Sequence, residues 1–484
     1  MSEIWRLFVA HFLGGSPDWY KRSIVALLVM NPLLLVFAGP FVAGWAVIAE
    51  VIFTLAMARV CYPLQPGGLI VLEAVALGLA SASGVADELV ANFAVLLLLI
   101  FMIAGIHFLK DLLLLVFSRL LVTVRDKRAL ALAFCVVSAL LSAFLDALTV
   151  MAVIIAVVGG FLTILEQVRG TGVVGDHDLA GFRAFLRDLL MHAAVGTALG
   201  GACTLVGEPQ NLLIGTIMDW DFGEFAWRMA PVAWPALVAG SVTCVLIEQL
   251  GWFGYGNRLP DNVRTVLERH AAAATAARTP EARYLLGAQA VVAACLVLGL
   301  LFHVAEVGLV GLAVLVLATA FTGVVEEHRL GGAFEEAMPF TALIVVFFGA
   351  VAVIHQQHLF SPVIELVLAI DGGARNAVFF LANGALSAIS DNVFVATIYI
   401  RELQTAFETG ALSRADFEQL AVAVNTGTNL PSVATPNGQA AFLFLLTSAL
   451  APRVGLGYGT MVWKALPYTL VLTSAGVVAT LLAA

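Results

Sequence analysis

Two stretches rich in Gly, Pro and Asn interrupt long apolar segments of this chain: TLVGEPQN at residues 204–211 and NLPSVATPN at residues 429–437. A proline within a membrane helix frees backbone groups that lipid cannot satisfy, so such backbone is tolerated only where it is buried in protein or lines a cavity. Each stretch therefore predicts a discontinuous transmembrane helix, over residues 189–218 and 416–450, whose irregular centre faces protein, water or an ion.

The composition of the chain predicts a membrane protein. Hydrophobic residues make up 61% of its 484 residues and charged residues only 12%, against roughly 25% charged in an ordinary soluble domain. Apolar segments long enough to cross a bilayer recur along the chain. We place them near residues 24–39, 42–62, 67–82, 91–109, 189–218, 230–250, 284–303, 305–324, 339–356, 416–450 and 462–482, with an amphipathic surface helix at 111–124.

Two further segments, residues 129–164 and 376–406, are each too long for one span, and each has an aspartate near its middle. We interpret both as re-entrant hairpins and place the N-terminus in the cytoplasm. Only four of the 24 Lys and Arg residues then face outward, namely Arg228, Arg375, Arg401 and Arg414. This bias follows the positive-inside rule, and counting either hairpin as a full crossing would spoil it.

The two halves of the chain share one order of features: an apolar segment, an aspartate, a second apolar segment, a polar insert and a broken helix. One hairpin would enter from the cytoplasm and the other from outside, so the sequence predicts an all-α polytopic membrane protein with inverted repeats. The predicted division is 1–128 for N-terminal and scaffold helices, 129–250 for the first transport core, 251–283 for a cytoplasmic linker, 284–356 for second-repeat scaffold helices, and 357–484 for the second transport core and last span.

Three carboxylates are the main candidates for chemistry. Asp146 in FLDALTV and Asp391 in AISDNVFV lie at the two hairpin centres, and Glu208 lies in the first break. An ionised carboxylate at membrane depth is costly, which favours an ion-binding role. The alternatives are that each aspartate caps the helix that follows it, and that backbone amides satisfy Glu208. We take Thr435 as the counterpart of Glu208 in the second half.

Neutral oxygen donors surround these carboxylates in the sequence. Those at the tips and breaks are Thr149, Asn211, Ser390, Asn392, Asn429, Thr435 and Asn437. Hard cations take oxygen ligands, so the set suits sodium better than a transition metal, although each residue could instead only form a turn. His192, at the start of the span that leads to the first break, is a candidate for pH sensing or a structural histidine.

The residues favour exchange by competition. Burial favours the protonated form of a carboxylate and a bound cation favours the ionised form, so one aspartate can hold a proton or help to hold sodium. The alternative is a sodium-coupled carrier of a small organic anion, which needs an anion-binding group that the breaks lack. No nucleophile–base pair, phosphate loop or nucleic-acid patch is apparent, so we expect neither an enzyme nor a cofactor.

At FLDALTV, GEPQN, SDNVF and NTGTNLPSVATPNGQ the sequence resembles the NhaB family of bacterial sodium/proton antiporters. The resemblance covers nearly the whole chain. It implies a homodimer in the lipid of the inner membrane, a scaffold part and a mobile transport part, and electrogenic exchange of Na⁺ or Li⁺ for H⁺ in pH homeostasis. Related dicarboxylate carriers have a Ser-Asn-Thr pattern at the hairpin tips. The tip aspartates here add negative charge, which favours a cation.

Overall fold

The computed structural model describes Leu7 and residues 10–168, 175–370 and 372–483. Described residues form helices and connecting loops without strands. Among these residues, six helices are long and apolar enough to cross a membrane, and a bent helix pair makes a seventh crossing if it is counted as one span. This agrees with the predicted all-α polytopic fold. The beginning of the predicted N-terminal region and part of the 166–188 insert lie outside the described residues.

The helices before the first hairpin are α1 to α6. Their bounds are Asp18–Ala38 (α1), Pro40–Ala56 (α2), Leu64–Ala76 (α3), Ala82–Ala91 (α4), Phe93–His107 (α5, with a π-helical turn at Leu98–Met102) and Lys110–Thr123 (α6). Helices α4 and α5 meet at 65°, and α5 corresponds to the span expected near residues 91–109. The bend lies at Asn92, whose side-chain amide donates to the Glu88 carbonyl at 2.7 Å. An Asn that bonds backbone in this way competes with helix continuation.

The first repeat core and the linker contain helices α7 to α12. Their bounds are Lys127–Ser142 (α7), Ala147–Val168 (α8), Asp176–Gly201 (α9), Pro209–Met218 (α10), Phe222–Leu250 (α11) and Asp261–Ala276 (α12). A 3₁₀ turn at Trp252–Gly254 follows α11. Helix α9 begins well before the predicted residue 189, because the polar insert continues the helix beyond its apolar part.

The remainder of the chain contains helices α13 to α22. Their bounds are Pro280–Leu301 (α13), Val307–Thr322 (α14), Glu327–Gln356 (α15), Ser361–Leu368 (α16), Gly372–Ile389 (α17), Asn392–Glu408 (α18), Arg414–Asn429 (α19), Ala440–Thr447 (α20), Leu450–Arg453 (α21) and Tyr458–Ala483 (α22). Two 3₁₀ turns, Pro431–Ala434 and Pro436–Gly438, lie between α19 and α20.

The first hairpin returns to the face from which it starts. Lys127, at the beginning of α7, lies 3.4 Å from the carboxylate of Asp188 in α9. Glu166, near the end of α8, pairs at 2.9 Å with Arg183 in the same part of α9. Both arms therefore begin and end beside one segment of α9, which is the arrangement expected of a re-entrant hairpin.

The second hairpin also starts and ends beside one segment of the broken helix that follows it, at the other end of the molecule. Arg375, at the start of α17, forms an ion pair with Asp416 at the start of α19. Near the end of α18, the ring of Phe407 stacks on Phe417 of α19 with centroids 5.2 Å apart. Both arms of this hairpin also meet one segment, the first turn of α19.

Contacts between the halves show that the repeats are inverted. Arg414, the first residue of α19, donates to the carbonyl of Met218, the last residue of α10, at 2.7 Å. Arg453, at the end of α21, donates at 2.7 Å to Glu166 of the first hairpin. The second broken helix therefore begins where the first one ends and finishes beside the first hairpin's open face.

Glycines bring each hairpin and its broken helix into backbone contact. A Cβ on Gly200 of α9 would lie 1.9 Å from the carbonyl oxygen of Ala139 in α7, and one on Gly427 of α19 would lie 2.6 Å from that of Phe380 in α17. Only glycine fits at such distances. Each hairpin arm and the adjoining half-helix therefore pack as one unit.

Candidate functional site

The tip of the first hairpin is closed by Asp146, which is 6% exposed between α7 and α8. Its Oδ2 accepts from the backbone N–H of Thr149 at 3.1 Å and from the Thr149 hydroxyl at 3.4 Å. Asp146 therefore caps α8, as one of the two interpretations expected, and the cap holds the carboxylate in place at the tip.

Asp391 closes the second tip in an equivalent manner. Its Oδ1 accepts from the N–H of Val393 at 2.9 Å and of Phe394 at 3.2 Å, and the residue is 7% exposed. The helix N-terminus and its free amides favour a negative charge at this point. Capping does not exclude ion binding, because a carboxylate has further lone pairs for a cation.

A cavity of about 450 Å³ touches both tips and the second break. Four of the predicted site residues line it: Thr149, Ser390, Asp391 and Asn437. The remaining wall includes helices α2, α5, α15 and α20. The cavity reaches the first tip at Thr149, whose hydroxyl donates to Asp146, so Asp146 lies immediately behind the wall. The lining contains Glu335 and Asp391 but no Lys or Arg within the described chain.

Glu208 lies between the two tips and is 1% exposed. Its carboxylate interacts electrostatically with Asp146 and with Asp391. The side chain of Asn392 lies beside it, yet neither Glu208 oxygen, nor the Asn392 amide nitrogen, makes a well-formed hydrogen bond to any described residue. The predicted satisfaction of Glu208 by backbone amides is therefore not seen. Burial with so few hydrogen bonds strongly favours a carboxylate that is protonated or paired with a cation.

Several predicted oxygen donors instead brace the breaks. The Asn211 amide donates to the carbonyls of Gly201 and Thr204, both at 2.6 Å. Asn429 donates to the Asn425 carbonyl at 2.9 Å, and the two breaks are linked where Gln210 donates to Asn429 Oδ1 at 3.3 Å. These residues satisfy the backbone that the interruptions leave free, so they support the site from behind.

The breaks differ slightly from their predicted bounds. The irregular part of the first break is residues 202–208, and Pro209 begins α10, because proline is favoured at the first helical position. The second break extends through Gln439, the N-cap of α20. Gln439 is fully buried and was missed by our sequence reasoning. The repeated Gly at residues 207 and 438, each followed directly by a Glu or Gln, could have revealed it.

The structure corrects the predicted pairing of Glu208 with Thr435. The Thr204 hydroxyl donates to the Ala143 carbonyl at 2.5 Å, and the Thr435 hydroxyl makes the same bond to Ala388. Each acceptor precedes its tip aspartate by three residues. Thr435 therefore corresponds to Thr204, and four residues further along each chain segment Glu208 corresponds to Gln439.

His192 lies outside the cavity in a fully buried polar cluster. Its Nε2 lies 2.7 Å from Glu248 and its Nδ1 lies 2.6 Å from the Tyr468 hydroxyl. Lys127 pairs with Glu248 at 3.0 Å, and Lys464 with Asp188 at 2.8 Å. The predicted role of His192 in pH sensing stays a prediction.

Within the described residues, no three His, Cys, Asp or Glu side chains converge closely enough to hold a metal ion. A cation at the tips would thus combine one or two carboxylates with neutral oxygens, as hard cations commonly do. Inverted repeats, two broken helices and buried carboxylates at the hairpin tips together define a multi-pass secondary transporter of ions.

Comparison with known proteins identifies the family. A family model described as bacterial Na⁺/H⁺ antiporter B (NhaB) matches residues 1–483. The chain is 59% identical to the Na⁺/H⁺ antiporter NhaB of Pseudomonas entomophila, with 97% of each chain covered. It is 60% identical to that of Pseudomonas fluorescens (strain Pf0-1), with 96% of each covered, and 58% identical to that of Aeromonas hydrophila, with 97% of this chain and 92% of the relative covered. The chain belongs to the NhaB family of Na⁺/H⁺ antiporters, which are transporters and not enzymes.

Proposed function

We propose that this protein exchanges Na⁺ or Li⁺ for H⁺ across the bacterial inner membrane, by electrogenic alternating access with competition at Asp146, Asp391 and Glu208. The observation that carries the proposal is the placement of Glu208, which is buried, has only the Asn392 side chain beside it without a well-formed hydrogen bond, and interacts electrostatically with both tip aspartates. Three like charges at this depth repel each other strongly unless protons or cations accompany them.

Competition explains how one site can carry both ions. Sodium stabilises the ionised carboxylates, and a proton removes the charge that holds sodium. Thr149, Ser390 and Asn437 supply neutral oxygens along the cavity wall, which suit an alkali cation. An organic anion would meet Glu335 and Asp391 and no cationic side chain among the described lining residues, so a sodium-coupled anion carrier is disfavoured.

The two ends of the molecule support alternating access. The cavity runs toward the loop at residues 57–63 and the first half of α15, which the predicted topology places at the cytoplasmic face. At the opposite end, Arg401 of α18 lies 3.9 Å from Glu88 of α4, and His355 of α15 lies 2.8 Å from the same carboxylate. We infer an inward-open arrangement in which this contact between hairpin and scaffold covers the outer side.

The remaining parts of the proposal concern location and assembly. The excess of Lys and Arg in the loops assigned to the inside supports a cytoplasmic N-terminus. The proposed exchange uses only side chains of the protein and needs no cofactor. We further propose a homodimer in membrane lipid, with residues 1–128 and 284–356 as scaffold and residues 129–250 and 357–484 as the transport part. Native mass spectrometry of the purified protein tests the dimer.

Everted vesicles with a pH-sensitive dye test the exchange. Sodium or lithium should dissipate a preformed pH gradient, whereas potassium and succinate should not. At the sodium concentration that gives the parent its half-maximal response, Asp146→Asn should lose most of the response while it keeps its expression level, because asparagine still caps a helix but carries no charge. Asp126→Asn is the matched control, since Asp126 caps α7 through Ala129 at 2.9 Å on the exposed surface. Equal exchange by Asp146→Asn and the parent would overturn the assigned role of Asp146.

A further inference from the structure

Residues 208 and 439 occupy the same position in the two repeats. Glu208 is the N-cap of α10, with φ −144° and ψ 147°, and Gln439 is the N-cap of α20, with φ −138° and ψ 125°. Four residues earlier, Thr204 and Thr435 make the same hydrogen bond to the hairpin arm beside them. The backbones of the two breaks therefore present these side chains in equivalent ways.

The neighbours of the two side chains also correspond. A Cβ on Gly201 would lie 3.0 Å from Cγ and 3.1 Å from Oε1 of Glu208. In the second repeat Ser432 holds the position of Gly201, and the Gln439 amide donates to its hydroxyl at 2.8 Å. Each side chain thus folds back on the residue three positions before the threonine whose contact the two repeats share.

The two positions differ in how they are satisfied. The Gln439 amide nitrogen donates to the Asn429 carbonyl at 2.8 Å as well as to Ser432. The Ser432 hydroxyl in turn donates to the Thr428 carbonyl at 2.6 Å, so it acts as an acceptor toward Gln439. One NH₂ group therefore occupies a point where two oxygens converge, which is where a cation would otherwise lie.

In the first break the Asn211 amide donates to the carbonyls of Gly201 and Thr204 and not to Glu208. Glycine at residue 201 offers no hydroxyl, and the Asn392 side chain lies beside the Glu208 carboxylate without a well-formed hydrogen bond to it. A buried carboxylate with so few hydrogen-bond donors is costly to keep ionised. The free energy of the first break therefore depends on what binds there, whereas the second break is held by the Gln439 amide nitrogen, even though the Oε1 of that amide makes no hydrogen bond to a described residue.

We propose that positions 208 and 439 decide which break needs an alkali cation for its stability. Glu208 makes the first break dependent on the cation, and the Gln439 amide stands in for the cation in the second break. Gln439 is thus a specificity-determining residue that sodium does not contact. This inference rests on the proposed exchange of sodium, and it adds that the two repeats contribute unequally to sodium binding.

The test is the thermal stability of the purified full chain in detergent, measured in NaCl and in choline chloride at equal ionic strength and fixed pH. A ligand that binds only the folded state raises the melting temperature. The wild type should melt higher in sodium. Glu208→Gln should lose most of that sodium-dependent rise, and Gln439→Glu should show a larger rise than the wild type, because its carboxylate faces oxygens that only a cation can bridge.

Gln439→Met is the matched control, since it removes the two hydrogen bonds without adding charge. It should melt lower in both salts and keep the wild-type difference between them. Glu208→Gln with an undiminished sodium rise overturns the inference, as does Gln439→Glu with a rise no larger than that of the wild type. If Gln439→Glu does not fold in either salt, the outcome for Glu208→Gln decides. Sodium-driven exchange by the wild type in vesicles is measured in parallel, so loss of the proposed function is distinguishable from failure of this inference.

Discussion

The two repeats share a backbone plan but differ in where they hold charge. In the first repeat Glu208 lies at the break, and Asp188 of α9 pairs with the buried side chain of Lys464. In the second repeat the equivalent positions are Gln439 and Gln419, and both side chains make neutral hydrogen bonds. Inverted symmetry therefore supplies the geometry twice, while the ionisable chemistry is concentrated in the first half.

The largest difference should appear when each tip aspartate is replaced by asparagine. Asp146→Asn should reduce apparent sodium affinity in vesicles by about 100-fold and Asp391→Asn by about tenfold, since a charged contact is worth about 1.5–3 kcal/mol. Asp146 should matter more because, of the two tip aspartates, it interacts more strongly with Glu208. Sodium titrations of dye dequenching measure both values. An unchanged affinity in Asp391→Asn would mean that the second tip has only a capping role.

Buried charge should also make the two repeats unequal in stability. Asp188→Asn should lower the free energy of unfolding by about 3–5 kcal/mol, because it leaves Lys464 buried without its 2.8 Å partner. Gln419→Ala should cost only about 0.5–1.5 kcal/mol, the contribution of one neutral hydrogen bond with Asn376. Denaturant titrations in detergent give both numbers. If both variants lost the same free energy of unfolding, buried charge would not distinguish the stability of the two repeats.

The closeness of helix packing provides a third contrast. Gly200→Ala places a methyl group 1.9 Å from the Ala139 carbonyl and should cost about 1–3 kcal/mol through displaced backbone. Gly427→Ala, with 2.6 Å to Phe380, should cost less. Gly159→Ala in α8 meets open space, and as a control it should fold at least as well as the parent. Melting temperatures rank the three variants, and a Gly200→Ala protein as stable as Gly159→Ala would refute the proposed contact.

The smallest effect should come from the contact at the outer end. Glu88→Gln weakens the 3.9 Å interaction with Arg401 but keeps an oxygen for the 2.8 Å contact with His355, so it should shift the balance of open states by only about 0.2–1 kcal/mol, the range for a loosely formed ion pair. A single cysteine in place of Ser390 reports this balance through its labelling rate by a membrane-impermeant reagent from each side. If labelling from the outer side does not increase, that contact does not hold the transporter inward-open.

Much of the fold follows from the sequence because membrane helices obey strong constraints. Long apolar segments, proline-containing interruptions and the distribution of Lys and Arg predicted the hairpins, the breaks and their inverted order. The bend at Asn92 was not predicted, since it depends on one side-chain bond to backbone. The beginning of α9 was placed too late because polar residues can extend a helix beyond the membrane.

The candidate site was predicted less completely than the fold. The sequence identified Asp146, Asp391 and Glu208, because a carboxylate in an apolar segment is conspicuous. It did not identify Gln439, since a glutamine is unremarkable until the Thr435 contact shows which residue it matches. Nor could it separate residues that line the cavity, such as Asn437, from residues that brace backbone, such as Asn211.

The glycine contacts between α7 and α9 have one more consequence. Where two backbones touch, neither helix can slide or rotate past the other without a collision of carbonyl groups. The hairpin tip that holds Asp146 and the break that holds Glu208 therefore form one rigid unit. An ion bound by both residues would have to move with this rigid unit. The side of the bilayer to which the ion is exposed would change because the surrounding helices move relative to the unit, while the unit keeps its own shape.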